Sequence, residues 1–158
     1  MSETPLPAPT ADMNFATPDL FKALAPDSFK SVPGLEGLEV RDLGFGELSG
    51  GAIGAQVFRA SAIPSPLSAV WHMHSLTFQI GYVTKGWILY EFEGVGRLRI
   101  EAGGAIFHRP RNRLRMLDRS SDFEGIWIKG PAEDTVTAFP FDEEAGEYRE
   151  VTFVHQRA

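Results

Sequence analysis

The stretch that decides the fold runs from residue 71 to residue 94 and reads WHMHSLTFQIGYVTKGWILYEFEG. It opens with His72 and His74, and since residues i and i+2 of a β-strand point to the same face, both imidazoles can converge on one point. Gln79 and Gly86 follow at intervals of five and seven residues. Two convergent histidines with a third polar side chain are donors that suit a divalent first-row metal. Two ordinary histidines, buried or at the surface, are the alternative interpretation.

Short β-like runs continue on both sides of this stretch. They are rich in β-branched and aromatic residues and are separated by glycine-containing turns, which is typical of an all-β sandwich or barrel. The sequence contains no repeat at a fixed period and no second hydrophobic domain. We expect strands at residues 38–43, 52–62, 78–83, 87–92, 97–100, 105–108, 123–129 and 149–155, and an acidic loop over residues 133–150.

The N-terminal part differs from the rest in composition. Residues 1–14 are rich in Pro, Ala, Ser and Thr, which predicts a flexible arm. Thr17 as N-cap and Pro18 at the first helical position predict a short helix that ends at Pro26. We therefore divide the chain into an arm with a short helix, residues 1–31, and a single barrel domain, residues 32–158, whose motifs lie within residues 66–130.

Composition narrows the classes of function. The chain has 158 residues and no cysteine, which excludes disulfides, thiolate catalysis and cysteine-ligated zinc. A net charge of −6 argues against nucleic acid and anionic membranes as partners. The N-terminus lacks the features of a signal peptide, and no apolar run approaches the roughly 20 residues of a membrane span. A cytoplasmic protein is the expectation.

The spacing around the two histidines resembles the first motif of the cupin superfamily. His72, Met73 and His74 match its H-x-H, four residues intervene, Gln79 occupies the position of its Glu, and six more residues lead to Gly86. The leading Gly of that motif is absent, because Pro66 stands in its place.

The second cupin motif is present in degraded form. Gly104 is followed by five residues and Pro110, as in the family pattern. Asn112 then replaces a Gly, Arg115 replaces the metal-binding His, and Arg119 replaces an Asn.

The resemblance implies a double-stranded β-helix, the jelly-roll barrel of RmlC-like cupins, with a site inside it. In metal-binding cupins the motif residues hold Fe, Mn, Ni, Zn or another divalent ion, which in this chain points to His72, His74 and Gln79 as metal ligands. Activities in the superfamily include dioxygenases, isomerases, lyases and ligand-sensing modules, so the fold does not fix the function. The catalytic residues remain unknown, and no organic cofactor is implied.

Two residues of the second motif leave alternatives open. Arg115 has no lone pair for a metal. If it faces the cavity it can grip a substrate carboxylate or phosphate, and otherwise it points outward. His108 can replace the missing ligand only if its strand turns it inward, whereas the usual phase of the motif places Phe107 inside and His108 outside.

Three hypotheses follow for the function. The first is a metal-dependent cupin that acts on a small acidic or oxygenated molecule, and the second is a metal-free ligand-binding or sensing cupin. The third is a structural module whose barrel is filled by side chains. Cupins of this kind pair through their sheets, so the resemblance also implies a homodimer.

Overall fold

The structure is a computed structural model that describes residues 28–32, 34–62, 67 and 69–155. The predicted arm and the predicted helix after Thr17 lie almost entirely outside these residues. The described residues form one short helix, α1 (Phe45–Leu48), and strands throughout the rest. That helix is far too short to cross a bilayer, and no other described segment is a helix long and apolar enough to do so.

Two six-stranded antiparallel sheets make up the architecture. The first sheet has the order β1-β2-β3-β10-β5-β8, and the second has the order β14-β11-β4-β9-β6-β7. A two-stranded hairpin, β12-β13, stands apart from both. The strands are β1 (Lys30–Ser31), β2 (Leu38–Asp42), β3 (Gly54–Ala60), β4 (Trp71–His74), β5 (Phe78–Lys85), β6 (Trp87–Phe92), β7 (Gly96–Glu101), β8 (Ala105–His108), β9 (Leu114–Arg119), β10 (Glu124–Gly130), β11 (Asp134–Phe139), β12 (Phe141–Asp142), β13 (Glu147–Tyr148) and β14 (Val151–His155).

The inner faces of the two sheets pack against each other. Residues along β6 alternate between half-buried and buried, and Ile88, Tyr90 and Phe92 point inward. Trp127 and Phe123 meet them from the side of the first sheet, and they belong to the same buried apolar cluster. This period of two is what a strand with one face in the core requires. The all-β jelly-roll prediction is confirmed.

The acidic segment after residue 132 is where the sequence-based prediction was wrong. Instead of a loop, it contains β11, which pairs with β14 on one side and β4 on the other. Val136 is buried there, as is Phe139, the last residue of the strand. Strand β9 was also not predicted, because its arginines concealed the alternation of Leu114 and Met116 toward the core. Burial between neighbouring strands outweighed the polar composition of both segments.

Candidate metal and ligand site

A cavity of about 300 Å³ lies between the two sheets. Its lining combines a group of polar side chains with mainly apolar walls from both sheets. Because this space is open, the structure does not support the hypothesis of a barrel filled by side chains. We call four of the polar lining residues the polar cluster: His72, His74, Gln79 and His108.

Strand β4 delivers the two histidines of the first motif. His72 and His74 both line the cavity, and their ring centroids are 5.2 Å apart. The strand sits between β11 and β9, where His72 faces Ala138 on one side and Leu114 on the other. The predicted convergence of the pair on one side of the strand is therefore what the structure shows.

Hydrogen bonds set the tautomer of both imidazoles. Nδ1 of His72 lies 3.0 Å from the carbonyl oxygen of Val70, and Nδ1 of His74 lies 2.5 Å from Oδ2 of Asp134. Oxygen acceptors at Nδ1 place the proton there, which leaves the lone pair of each neutral ring on Nε2. A hydrogen bond from the second ring nitrogen to a carbonyl or carboxylate is the arrangement that accompanies metal-ligating histidines in proteins.

Asp134 is itself held by a buried lysine. Nζ of Lys129 lies 2.5 Å from Oδ1 of Asp134, and the two side chains are only 6% and 0% exposed. The lysine comes from the first sheet and the aspartate from the second. The resulting chain of contacts, Lys129 to Asp134 to His74, ties the sheets together at the cavity and was not predicted from the sequence.

His108 joins the polar cluster, contrary to the expected phase of its strand. It is 5% exposed, whereas Phe107 is 58% exposed. The reason is the register of β8 against β5, in which His108 lies directly opposite Gln79. Residues directly opposite each other in an antiparallel pair point to the same face, so both turn inward. The expectation of Phe107 inside and His108 outside was wrong.

The ring nitrogens of His108 are not placed like those of His72 and His74. Nε1–H of Trp127 donates to Nε2 of His108 at 3.3 Å, which puts the proton of the neutral ring on Nδ1. That Nδ1 is buried without a hydrogen-bond partner. Trp127 can lie in this position because Gly81 has no side chain; an added Cβ would come within 2.7 Å of the indole. In this tautomer Nδ1 of His108 is a buried donor, and the lone pair on Nε2 accepts the hydrogen bond from Trp127.

Burial controls the ionisation of the groups around His108. Burial, together with repulsion from His74 and His72, lowers the pKa of His108 to about 3. Burial alone raises the pKa of Tyr90, whose ring lies 5.5 Å from that of His108. Both side chains are therefore uncharged at neutral pH.

Arg115 lies outside the cavity. Neighbouring Leu114 and Met116 are buried and line it, so Arg115 points to the other face of β9. There its guanidinium pairs with Glu91, 2.5 Å from Nη2 to Oε2, and covers the ring of Trp71 at 4.6 Å. Arg115 therefore points outward, which is one of the alternatives left open by the sequence. The prediction that it binds a substrate group inside the cavity does not hold.

The polar cluster contains the groups of the cavity that could hold a metal ion. Over the part of the chain that the structure describes, no three His, Cys, Asp or Glu side chains are placed to hold an ion together. Gln79 lines the same cavity as the two imidazoles that have lone pairs on Nε2. Beside them lies a second cavity of about 10 Å³, bounded in part by His74, Gln79 and His108 and about large enough for one water molecule.

Solved structures share this architecture. An RmlC-like cupin from Shewanella frigidimarina NCIMB 400 is similar with a TM-score of 0.56 and 20% sequence identity, covering 72% of this chain and 92% of that one. A sugar phosphate isomerase of the cupin superfamily from Silicibacter pomeroyi DSS-3 is similar with a TM-score of 0.53 and 14% identity, covering 78% and 84%. The chain has the cupin fold.

A structure of a Streptomyces protein extends the comparison. PAC13, solved as a variant with uridine, matches the barrel with a TM-score of 0.51 and 13% identity, covering 78% of this chain and 82% of that one. No protein-family model matches the sequence, and no curated protein does. At these identities the similarity establishes the cupin fold and leaves the activity of this barrel open.

The lowered pKa of His108 predicts a pH dependence of stability. At pH values between about 6.5 and 3 the unfolded chain binds a proton at this residue that the folded barrel does not bind. The free energy of unfolding should therefore fall as the pH drops below about 6.5, by up to about 1.4 kcal/mol per pH unit from this group. Urea unfolding across this range measures the slope.

A His108→Phe variant is the control for this slope. The imidazole already packs between the rings of Tyr90 and Phe92, so a phenyl ring suits the position. In the variant, the free energy of unfolding should depend less steeply on pH, by the amount that corresponds to about one bound proton. The contribution of the other histidines to this slope should remain. Equal slopes in both proteins would show that His108 is not the titrating group.

Proposed function

We propose that this cupin barrel binds a divalent metal ion through His72, His74 and Gln79 and acts there on a small oxygenated organic molecule. The observation that supports the proposal is the pair of Nδ1 contacts to Val70 and Asp134, which direct the lone pairs of both imidazoles to Nε2. Fe, Mn, Ni and Zn are the candidate metals, since imidazole and amide oxygen suit this part of the first row. A bound ion would polarise an oxygen of the substrate.

Elemental analysis of untagged protein tests the proposal. After reconstitution with Fe, Mn, Ni and Zn in turn, the wild type should hold close to one ion per chain for at least one of them. A His72→Ala/His74→Ala variant should hold almost none, because it lacks both imidazoles. Met73→Ala is the matched control, since Met73 lies between the two histidines and does not line the cavity; it should retain the metal.

A metal-free ligand-binding or sensing cupin is the second candidate function. It is favoured by the use of His108 as a hydrogen-bond acceptor for Trp127 and by the amide of Gln79 in place of a carboxylate. Without a charged ligand, nothing in the donor set neutralises the ion. A wild type that takes up none of the four metals after reconstitution would exclude the first candidate and favour this one. A cytoplasmic location is likewise a prediction from the sequence.

We also propose a homodimer that forms through the outer face of the first sheet. Ile80 lies directly opposite Phe107 on one neighbouring strand and Ile128 on the other, and all three side chains are exposed. A continuous apolar surface of this kind marks an interaction site. Light scattering at micromolar concentration should give twice the mass of the chain.

Phe107→Glu should shift the protein to the monomer, because it places charges within the apolar face. Val154→Glu is the control, since Val154 is equally exposed but belongs to the edge strand β14 of the other sheet. A wild type that runs as a monomer would refute the dimer.

A further inference from the structure

We propose that the molecule taken up by this cavity is a mainly apolar ring compound with a single oxygen-bearing group, and that phosphorylated and carboxylated metabolites are disfavoured. The inference rests on the second candidate function, the metal-free ligand-binding barrel, because it names the class of ligand for the same cavity. Three properties of the cavity lead to it: the chemistry of its walls, the lack of a lysine or arginine among the described residues that line it, and its size.

The walls away from the polar cluster are apolar and partly aromatic. Phe58 and Phe123 flank Trp127, with ring centroids 5.3 Å and 6.0 Å from its indole, and all three line the cavity. Met116 and Val136 face them from the second sheet. Aromatic edges and faces of this kind favour a ring as the bound group. Each Å² of apolar ligand surface removed from water contributes about 25 cal/mol.

No described residue that lines the cavity is a lysine or an arginine. Lys129 is paired with Asp134, and Arg115 with Glu91 on the outer face. Arg109 borders the second, smaller cavity and does not line this one. An anionic group buried among these walls would lose its hydration without gaining a countercharge, which is strongly unfavourable.

The volume sets the size of the compound. A cavity of about 150 Å³ lined by aliphatic and aromatic side chains accepts benzene. This cavity is about 300 Å³, twice that volume, and corresponds to two fused rings or to one ring with a short chain. Exposed Val151 and Phe153 are among the lining residues, so the entrance lies beside β14. A polar group on the compound would meet the polar cluster, which lines the same cavity.

Titration calorimetry with three probes tests the inference. β-Naphthol has the fused rings and one hydroxyl, β-naphthoate has the same rings with a carboxylate, and glucose is a ring without an apolar face. In protein treated with a chelator, β-naphthol should bind at least about ten-fold more tightly than β-naphthoate, and glucose should not bind. The heat capacity change with β-naphthol should be negative, as burial of apolar surface requires.

A cavity-filling variant locates the binding. Ala138 lines the cavity opposite His72, and Ala138→Phe should weaken β-naphthol binding at least about ten-fold. Arg115→Gln, outside the cavity, should leave it unchanged. If Ala138→Phe does not fold, the comparison of the three probes on the wild type decides the question by itself.

The outcomes separate this inference from the proposed metal site. Binding of β-naphthol by a protein that takes up no metal would retain the inference and reject the metal. Uptake of metal without β-naphthol binding, or equal binding of β-naphthoate by the chelator-treated protein, would overturn the inference and leave the metal site standing.

Discussion

Replacing Asp134 by Leu is expected to lower the free energy of unfolding by about 3–5 kcal/mol. The carboxylate of Asp134 is fully buried, with Nζ of Lys129 at 2.5 Å and Nδ1 of His74 at 2.5 Å on its two oxygens. Removing it leaves the buried ammonium of Lys129 without its countercharge, which is the most costly way to break an ion pair. Urea unfolding at neutral pH measures the loss.

The same variant should bind metal about 10–100-fold more weakly, because His74 loses the acceptor that orients its ring. A double variant, Asp134→Leu/Lys129→Met, separates the two effects. It removes both charges, so most of the stability should return, whereas the metal affinity should stay low. If the double variant is as unstable as the single one, the loss arises from altered packing and the charge explanation fails.

Gly86→Ala is expected to destabilise the barrel by about 2–5 kcal/mol, the sum of two separate costs. Gly86 has a φ of +61°, which costs an L-residue about 1–2 kcal/mol. Its added Cβ would also overlap Oγ of Ser120 and come within 2.6 Å of Oδ1 of Asp122. Displacing Ser120 would in addition disturb the hydrogen bond of 2.9 Å that it accepts from the backbone N–H of Trp87.

Gly94→Ala provides a matched control for this position. Gly94 has a similar φ of +76°, but an added Cβ there would meet nothing within 4 Å. It should therefore show the backbone cost alone, about 1–2 kcal/mol. Thermal or urea unfolding of both variants measures the difference, and equal losses would show that the contact with Ser120 relaxes without cost.

Several strands of both sheets could be predicted from the sequence because their signals are local. The limits of β6 and β8 agree with the predicted ones, and β2 differs by a single residue. Alternation, aromatic residues and glycine turns act within a few positions, so they are visible along the chain. The convergence of His72 and His74 is of the same kind, because two residues in one strand share a face whatever surrounds them.

Partners that are distant in sequence could not be predicted in this way. His108 turns inward only because β8 pairs with β5 in the register that places it opposite Gln79. Asp134 reaches His74 across 60 residues of chain, from a segment whose acidic composition predicted a loop. A signal was present in the alternation of Asp134, Val136 and Ala138, but the polar residues around it obscured the pattern.

The sequence by itself thus determined a cupin-like β-barrel and the pair of histidines at its centre. Only the tertiary structure decided that Arg115 lies outside, that His108 lies inside, and that Lys129 and Asp134 support His74. The physical reason is register. A shift of one residue between paired strands moves every side chain to the opposite face, and long-range packing selects the register.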